Sequence, residues 1–176
     1  MEKEIRRPLQ HETAAYYTLY IDQVEGSNYM RTLKSNLKST VEFLQQLSDE
    51  EWNSRYAPEK WSIKEVVLHM VDSERIFAYR ALRIARNDIT PLAGFDQDAY
   101  VPHSNASDRS GASLIDEYQM VRHATLAMFQ NFTDEMMTRM GTASDNPFST
   151  LALAFIIAGH ENHHISILKD RYLAKS

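Results

Sequence analysis

Glycine and proline fall in so few places along this chain that they divide it almost unaided. Five of each occur among 176 residues, about half of what average usage would supply. They also cluster: Gly26 and Pro58 flank one segment, Pro91, Gly94, Pro102 and Gly111 share one stretch, Gly141 and Pro147 mark another boundary, and Pro8 stands near the start. Four long segments remain, at about 28–48, 62–86, 113–132 and 149–172. Each carries apolar residues at three- and four-residue spacing, the period of a helix, and no strand-like alternation competes. The start signals agree. Ser62-Ile63-Lys64-Glu65 reads as a capping box after Trp61, Ser113 precedes Leu114 and Ile115, and Ser149 or Thr150 precedes Leu151. The expected fold is all-α: a four-helix bundle with a long crossover, residues 87–112, between helices 2 and 3. His11 to Val24 is expected to add a short leading helix, with Tyr16, Tyr17 and Tyr20 read as packing residues.

A chain of this length suggests a single domain over residues 1–176, large enough to bury roughly 70% of the surface its unfolded form exposes. It contains no cysteine, which removes disulfides, thiolate metal sites and cysteine nucleophiles together and leaves nitrogen and oxygen as the strong metal ligands. The formal charge of −5 with no basic block gives no support for nucleic-acid binding, which rests on Lys and Arg neutralising phosphates. The longest apolar stretch, Leu151 to Ala158, falls short of the roughly 20 residues that span a bilayer. Met1 to Arg7 is charged and is followed by polar sequence rather than a signal-peptide stretch. A cytoplasmic location, with neither membrane nor nucleic acid as partner, is the expectation.

The informative feature is a run of histidines in the last segment. Seven His occur, at 11, 69, 103, 123, 160, 163 and 164. On a helix His160 and His164 lie about 40° apart on one face, one turn above the other. The apolar seam runs through Leu153, Ile157, positions 160 and 164, and Ile167, so both imidazoles occupy places where a bundle helix would carry aliphatics. A core imidazole must be hydrogen-bonded or ligated, because leaving it unpaired costs about 1–3 kcal/mol. His163 falls beside the seam. A third ligand should come from a facing helix. His69, on the inward flank of a segment with Ile63, Val66, Val67, Met70, Ile76 and Phe77, is the best placed; His123 is weaker, and His11 and His103 lie in terminal or loop sequence. Gly159, the one glycine inside a long segment, stands directly before His160. It costs about 1 kcal/mol relative to Ala, and the close approach of another backbone or a ligand would explain it; helix–helix packing alone is the simpler account.

His160-Glu161-Asn162-His163-His164 also satisfies the H-E-x-x-H pattern of zinc metalloproteases, in which Glu161 would be the general base. Only twelve residues follow His164, with Asp170 as their one carboxylate, so the usual downstream third ligand is hard to supply. The chain more closely resembles the DinB-like family of four-helix-bundle metalloproteins, particularly its YfiT-type members. The resemblance runs through Tyr56-Ala57-Pro58-Glu59-Lys60-Trp61-Ser62-Ile63-Lys64-Glu65, His69, Asp72-Ser73-Glu74-Arg75, Tyr79-Arg80-Ala81-Leu82-Arg83, Gly94-Phe95-Asp96-Gln97-Asp98 and Ala158-Gly159-His160-Glu161-Asn162-His163-His164.

That resemblance implies a three-histidine site, His69, His160 and His164, for a divalent ion such as zinc or nickel, with an open position for water or substrate. It implies an enzyme acting on a small molecule, by hydrolysis or by transfer of a low-molecular-weight thiol such as bacillithiol, and a symmetric homodimer. The non-enzymatic alternative is a bundle that keeps its ion for stability and serves as a binding module. Asp72 or Glu65, one turn either side of His69, is expected to accept an imidazole N–H, with a solvated helix face as the plainer alternative. Phe95, Asp96, Gln97 and Tyr100 are expected at the pocket mouth. Glu161 is expected either near metal-bound water or, as the commoner fate, at the surface.

Overall fold

Each long segment opens on a side chain that caps it. In the computed structural model, which describes residues 6–174, α1 (Tyr29–Leu44) begins where Asn28 Oδ1 accepts from the Arg31 amide at 3.0 Å. α2 (Ile63–Ala85) begins with the expected reciprocal box, Ser62 Oγ accepting from the Glu65 amide and Glu65 accepting from that of Ser62. α3 (Gly111–Gln130) and α4 (Thr150–Ile167) are capped by Ser110 and Ser149. Such caps satisfy amides that have no partner inside the helix. Most of the charged start Met1–Arg7 lies outside the described residues.

The four-helix bundle is as expected, with corrections at its edges. The first helix stops at Leu44, and Ser48 with Glu51 starts a separate turn, Asp49–Asn53. The third starts at Gly111, because Ser110 rather than Ser113 captures the first free amide. The leading segment is not one helix but two 3-10 turns, Gln10–Glu12 and Ala15–Tyr17, followed by a single α turn, Thr18–Ile21. Arg7 ends that turn by donating to the carbonyls of Ile21 and Val24 at 2.8 and 2.7 Å. The absence of strands is also overturned: β1 (Met140–Ala143) pairs antiparallel with β2 (Asn146–Ser149). Strands of four residues are too short to show alternation in the sequence. The turn between them places Ser144 and Asp145 at φ +49° and +59°, the paired left-handed geometry that twisted hairpins favour.

α4 is the axis of the fold. From Thr150 through Glu161 every residue is buried, on all sides of the helix, so it behaves as a core element wrapped by its neighbours rather than as an amphipathic one. α1, α2 and the Thr18–Ile21 turn pack directly on it, while α3 packs on α1 and α2. Beyond Ile167 the chain continues as a π-helical turn, Leu168–Tyr172, which brings the Tyr172 hydroxyl to the Trp61 carbonyl at 2.6 Å. No helix among the described residues is long and apolar enough to cross a membrane.

Candidate metal centre

α2 and α4 pack against one another, and the three expected histidines meet between them. His69 Nε2 lies 3.1 Å from His160 Nε2, and His164 Nε2 lies 3.1 Å from the same atom. One ring nitrogen from each of the three falls within 4.8 Å of the others. His69 and His160 are buried and His164 is half-buried. Exposed His11, His103 and His123 take no part. His163 lies beside the cluster, its ring 5.4 Å from that of Tyr20 and 5.2 Å from that of His164.

Burial sets the protonation of the trio. It pushes the His69 pKa down to about 4 and that of His164 to about 3. His160 is held well below the ordinary value by burial first and then by the neighbouring imidazoles. Neutral rings each keep a lone pair, and at most one N–H can lie along any contact between two Nε2 atoms. Such a cluster suits a cation better than it suits itself. Ligand nitrogens at about 2.0–2.1 Å from a common ion stand roughly 2.8–3.4 Å apart between octahedral and tetrahedral arrangements, and the 3.1 Å separations fall in that range.

The surroundings favour positive charge. Behind His160 an internal void is bordered by Glu74, Arg122 and Glu161, all at most 4% exposed. Arg122 donates to Glu74 through Nε at 2.9 Å and Nη2 at 2.7 Å, and pairs with Glu161 at 2.7 Å. Two carboxylates thus share one guanidinium, leaving a formal charge of −1 beside the imidazoles. Glu161 also accepts from Thr40, Tyr118 and Asn36. It is buried, not the surface carboxylate that was its commoner expected fate. Fully engaged as an acceptor, it is unavailable as the general base that the H-E-x-x-H pattern would require.

Asp72 and Glu65 do not orient His69 either. Asp72 pairs with Arg75 at 3.4 Å, and Glu65 closes the helix cap and pairs with Arg55 at 2.8 Å. The group beside His69 Nδ1 is the Ser73 hydroxyl, at 3.5 Å, one turn along the same helix and on the same face. Trp61 covers the other side, its ring 5.0 Å from that of His69.

Two openings reach the cluster. A narrow one beside His69 is bordered by Glu65, Asp72, Phe95, Gln97 and Tyr100. A cavity of about 300 Å³ reaches His160 between Tyr16, Tyr17, Tyr20, Phe77, Phe95, Asp96, Gln97 and Ser144. The crossover residues therefore line the mouth as expected. The tyrosines do more than pack: Tyr20 lies edge-on to His160 at 5.1 Å and forms one wall of the cavity. The Glu74, Tyr118 and Arg122 network went unread in the sequence. Its signal was present, because Leu114, Tyr118, Arg122, Thr125 and Phe129 repeat at four and three residues, placing an arginine on the buried stripe of α3.

The protonation state has a measurable consequence. Each depressed imidazole binds its proton in the unfolded chain before it does so in the folded one, so between about pH 6.5 and the folded pKa the unfolded state holds more protons and stability rises with pH. The stabilisation is complete above pH 6.5 and is lost as pH falls through about 4 for His69 and about 3 for His164. Chelator-treated protein should melt at progressively lower temperature from pH 7 to pH 4. The double variant His160→Ala, His164→Ala should show a shallower slope; equal slopes would contradict this account.

Comparison with known proteins gives a consistent set of likenesses. A family model described as the DinB superfamily matches residues 32–168. A protein of Oceanobacillus iheyensis, provisionally named a metal-dependent hydrolase, is 22% identical over 145 residues, covering 80% of this chain and 82% of its own. Among solved structures, YfiT from Bacillus subtilis superposes with a TM-score of 0.70 at 15% identity, covering 94% of this chain and 91% of the other. It is described as a probable metal-dependent hydrolase with an unusual four-helix bundle topology.

Proposed function

The chain belongs to the DinB superfamily, and on that premise we propose that it is a metal-dependent enzyme, most simply a hydrolase, acting on a small molecule at a divalent ion held by His69, His160 and His164. The observation that carries this reading is the convergence of three neutral, buried imidazole nitrogens, with 3.1 Å separations, at the end of a cavity of about 300 Å³. The names of the two relatives support it. Three nitrogen ligands leave a coordination position free, the arrangement of catalytic rather than closed structural sites. A divalent ion held by His69, His160 and His164 would supply Lewis acidity, able to lower the pKa of water toward 7 or to polarise a substrate oxygen.

The chain's own residues supply the rest. Ser73 and Trp61 restrain the His69 ring from two sides, and Tyr20 and Phe77 pack edge-on against His160, so the ligand atoms are held before anything binds. Phe77, Phe95 and Tyr17 form an apolar wall beside the reacting end, while Gln97 and Ser144 offer polar contacts. The cavity admits a small molecule rather than an extended peptide.

Elemental analysis of the purified protein should find close to one divalent ion per chain, and the variant His160→Ala, His164→Ala should lose it; full retention of metal by the variant sinks the three-histidine centre. Ester and amide panels should then be turned over without added thiol. Turnover seen only when a low-molecular-weight thiol and an electrophile are supplied would reassign the reaction to S-transfer. Tightly held metal with silence in both assays would favour a binding module.

A further inference from the structure

Arg80 plays no part in holding the histidines, yet it is 1% exposed and lies directly behind the cavity wall. Its Nη2 donates to the Ala93 carbonyl at 3.0 Å and to Ser144 Oγ at 2.8 Å. Its Nη1 is buried and among the described residues meets no partner in hydrogen-bonding geometry, while the Tyr17 hydroxyl lies near enough to the guanidinium to interact with it. Among the described residues no carboxylate pairs with Arg80, in contrast to buried Arg122, which has two. The guanidinium rests against the rings of Phe77 and Phe95, 5.9 and 5.7 Å from their centres. Phe77, Phe95, Tyr17 and Ser144 all border the cavity that ends at His160.

Ser144 is the second irregularity. It sits at φ +49°, where a glycine would be unstrained and a serine is not. The hairpin turn accounts for that backbone, and what bears on the cavity is the side chain it presents there. Because Ser144 Oγ accepts from Arg80, its own hydrogen is free to donate toward the cavity, and the adjacent cation strengthens it as a donor.

Resting on the reading of the histidine centre as the reacting end, we infer that the Ser144 and Arg80 end of the cavity is an anion subsite, and that the substrate carries a carboxylate there. The Ser144 hydroxyl on the cavity wall offers the donor, and the Arg80 guanidinium bonded to it at 2.8 Å offers the charge that a carboxylate would meet. No Lys or Arg is among the described residues that border the cavity, and Asp96 stands at its rim with one oxygen already capping the turn Gln97–Tyr100. A dianion such as phosphate would be under-neutralised and repelled, so a single charge fits best.

The test is calorimetric titration of the full chain, as purified and after chelation, with succinamate, which bears one carboxylate, and with neutral succinamide. Charge-assisted hydrogen bonds should make succinamate bind roughly tenfold more tightly or better, and the preference should survive chelation. Ser144→Gly, which relieves the backbone and removes the hydroxyl, should fold with unchanged metal content and bind succinamate several-fold more weakly. Arg80→Gln should abolish the preference. Equal binding of the two probes overturns the inference, as does unchanged succinamate affinity in Ser144→Gly; a preference that vanishes with the metal would assign the anion to the ion instead. Should Arg80→Gln fail to fold, Ser144→Gly decides alone. Metal content of the histidine double variant is read separately, so failure of the metal centre and failure of the anion subsite give different results.

Discussion

Arg122→Met should cost the fold about 3–5 kcal/mol, the usual price of removing one partner from a buried ion pair. Methionine fills a similar volume, so little of the loss would come from a cavity. The cost arises because Glu74 loses both of its short contacts to Nε and Nη2, and Glu161 loses its cation while remaining 3% exposed. Arg122 also donates to the Leu33 carbonyl on α1; with Thr40 on α1, Glu74 on α2, Tyr118 on α3 and Glu161 on α4, it joins all four bundle helices through one polar knot. The denaturation midpoint should fall with little change in m-value. Adding Glu74→Gln should recover part of the loss, because an amide in that place carries no charge to strand. A single-variant loss below about 1 kcal/mol, the range of surface pairs, would show that the knot is not closed in solution.

The same knot shows where sequence reading stops. His69, His160 and His164 were legible because periodicity alone puts two imidazoles in a core seam of α4 and one on the inward flank of α2, and helical geometry then does most of the placement. The bundle itself was legible from ten glycines and prolines, because long uninterrupted periodic segments have few other ways to bury a face. Glu161 was not. Its neighbours on α4 place it about 100° from His160, a direction that leads to solvent in an amphipathic helix, and only the burial of α4 on every side turns that direction into core. The hairpin at residues 140–149 was missed because four-residue strands carry no measurable period. Ser73 was overlooked for Asp72 because a carboxylate is the commoner partner of a ligating imidazole, whereas the helix phase one turn from His69 selects the serine.

Electrostatics link these parts into one site. The three imidazoles are driven neutral by burial, and a formal charge of −1 lies behind them, so a divalent cation bound as proposed would meet lone pairs in front and negative charge behind. At the other end of the cavity Arg80 stands unpaired by any described carboxylate. On the proposed reading, the cavity would run from a cation-seeking centre to a wall backed by a fixed cation, and would orient a substrate bearing a reactive neutral group at one end and an anionic group at the other.

Gly159→Ala should be the most disruptive single methyl in the chain. A Cβ built there would stand 1.7 Å from the Tyr20 carbonyl oxygen and 2.5 Å from its carbon, both backbone atoms, so no side-chain rotation relieves the contact. Overpacking in a core commonly costs about 1–3 kcal/mol, and here the relief requires the whole Thr18–Ile21 turn to lift from α4. That turn carries Tyr20, whose ring lies 5.1 Å from His160 and walls the cavity. The expected result is a lowered melting temperature with rapid proteolytic cleavage inside residues 6–27, while α2 to α4 stay protected, and weakened metal retention because His160 loses its edge-on neighbour. Tyr20→Phe is the control: it keeps the backbone contact and the ring and removes one hydroxyl that, among the described residues, meets Tyr16 alone, at 3.4 Å, so it should change stability by less than about 1 kcal/mol. If Gly159→Ala melts with the parent and resists cleavage equally, the leading turn does not sit on α4 in solution, and the wall it provides to the cavity must be reassigned.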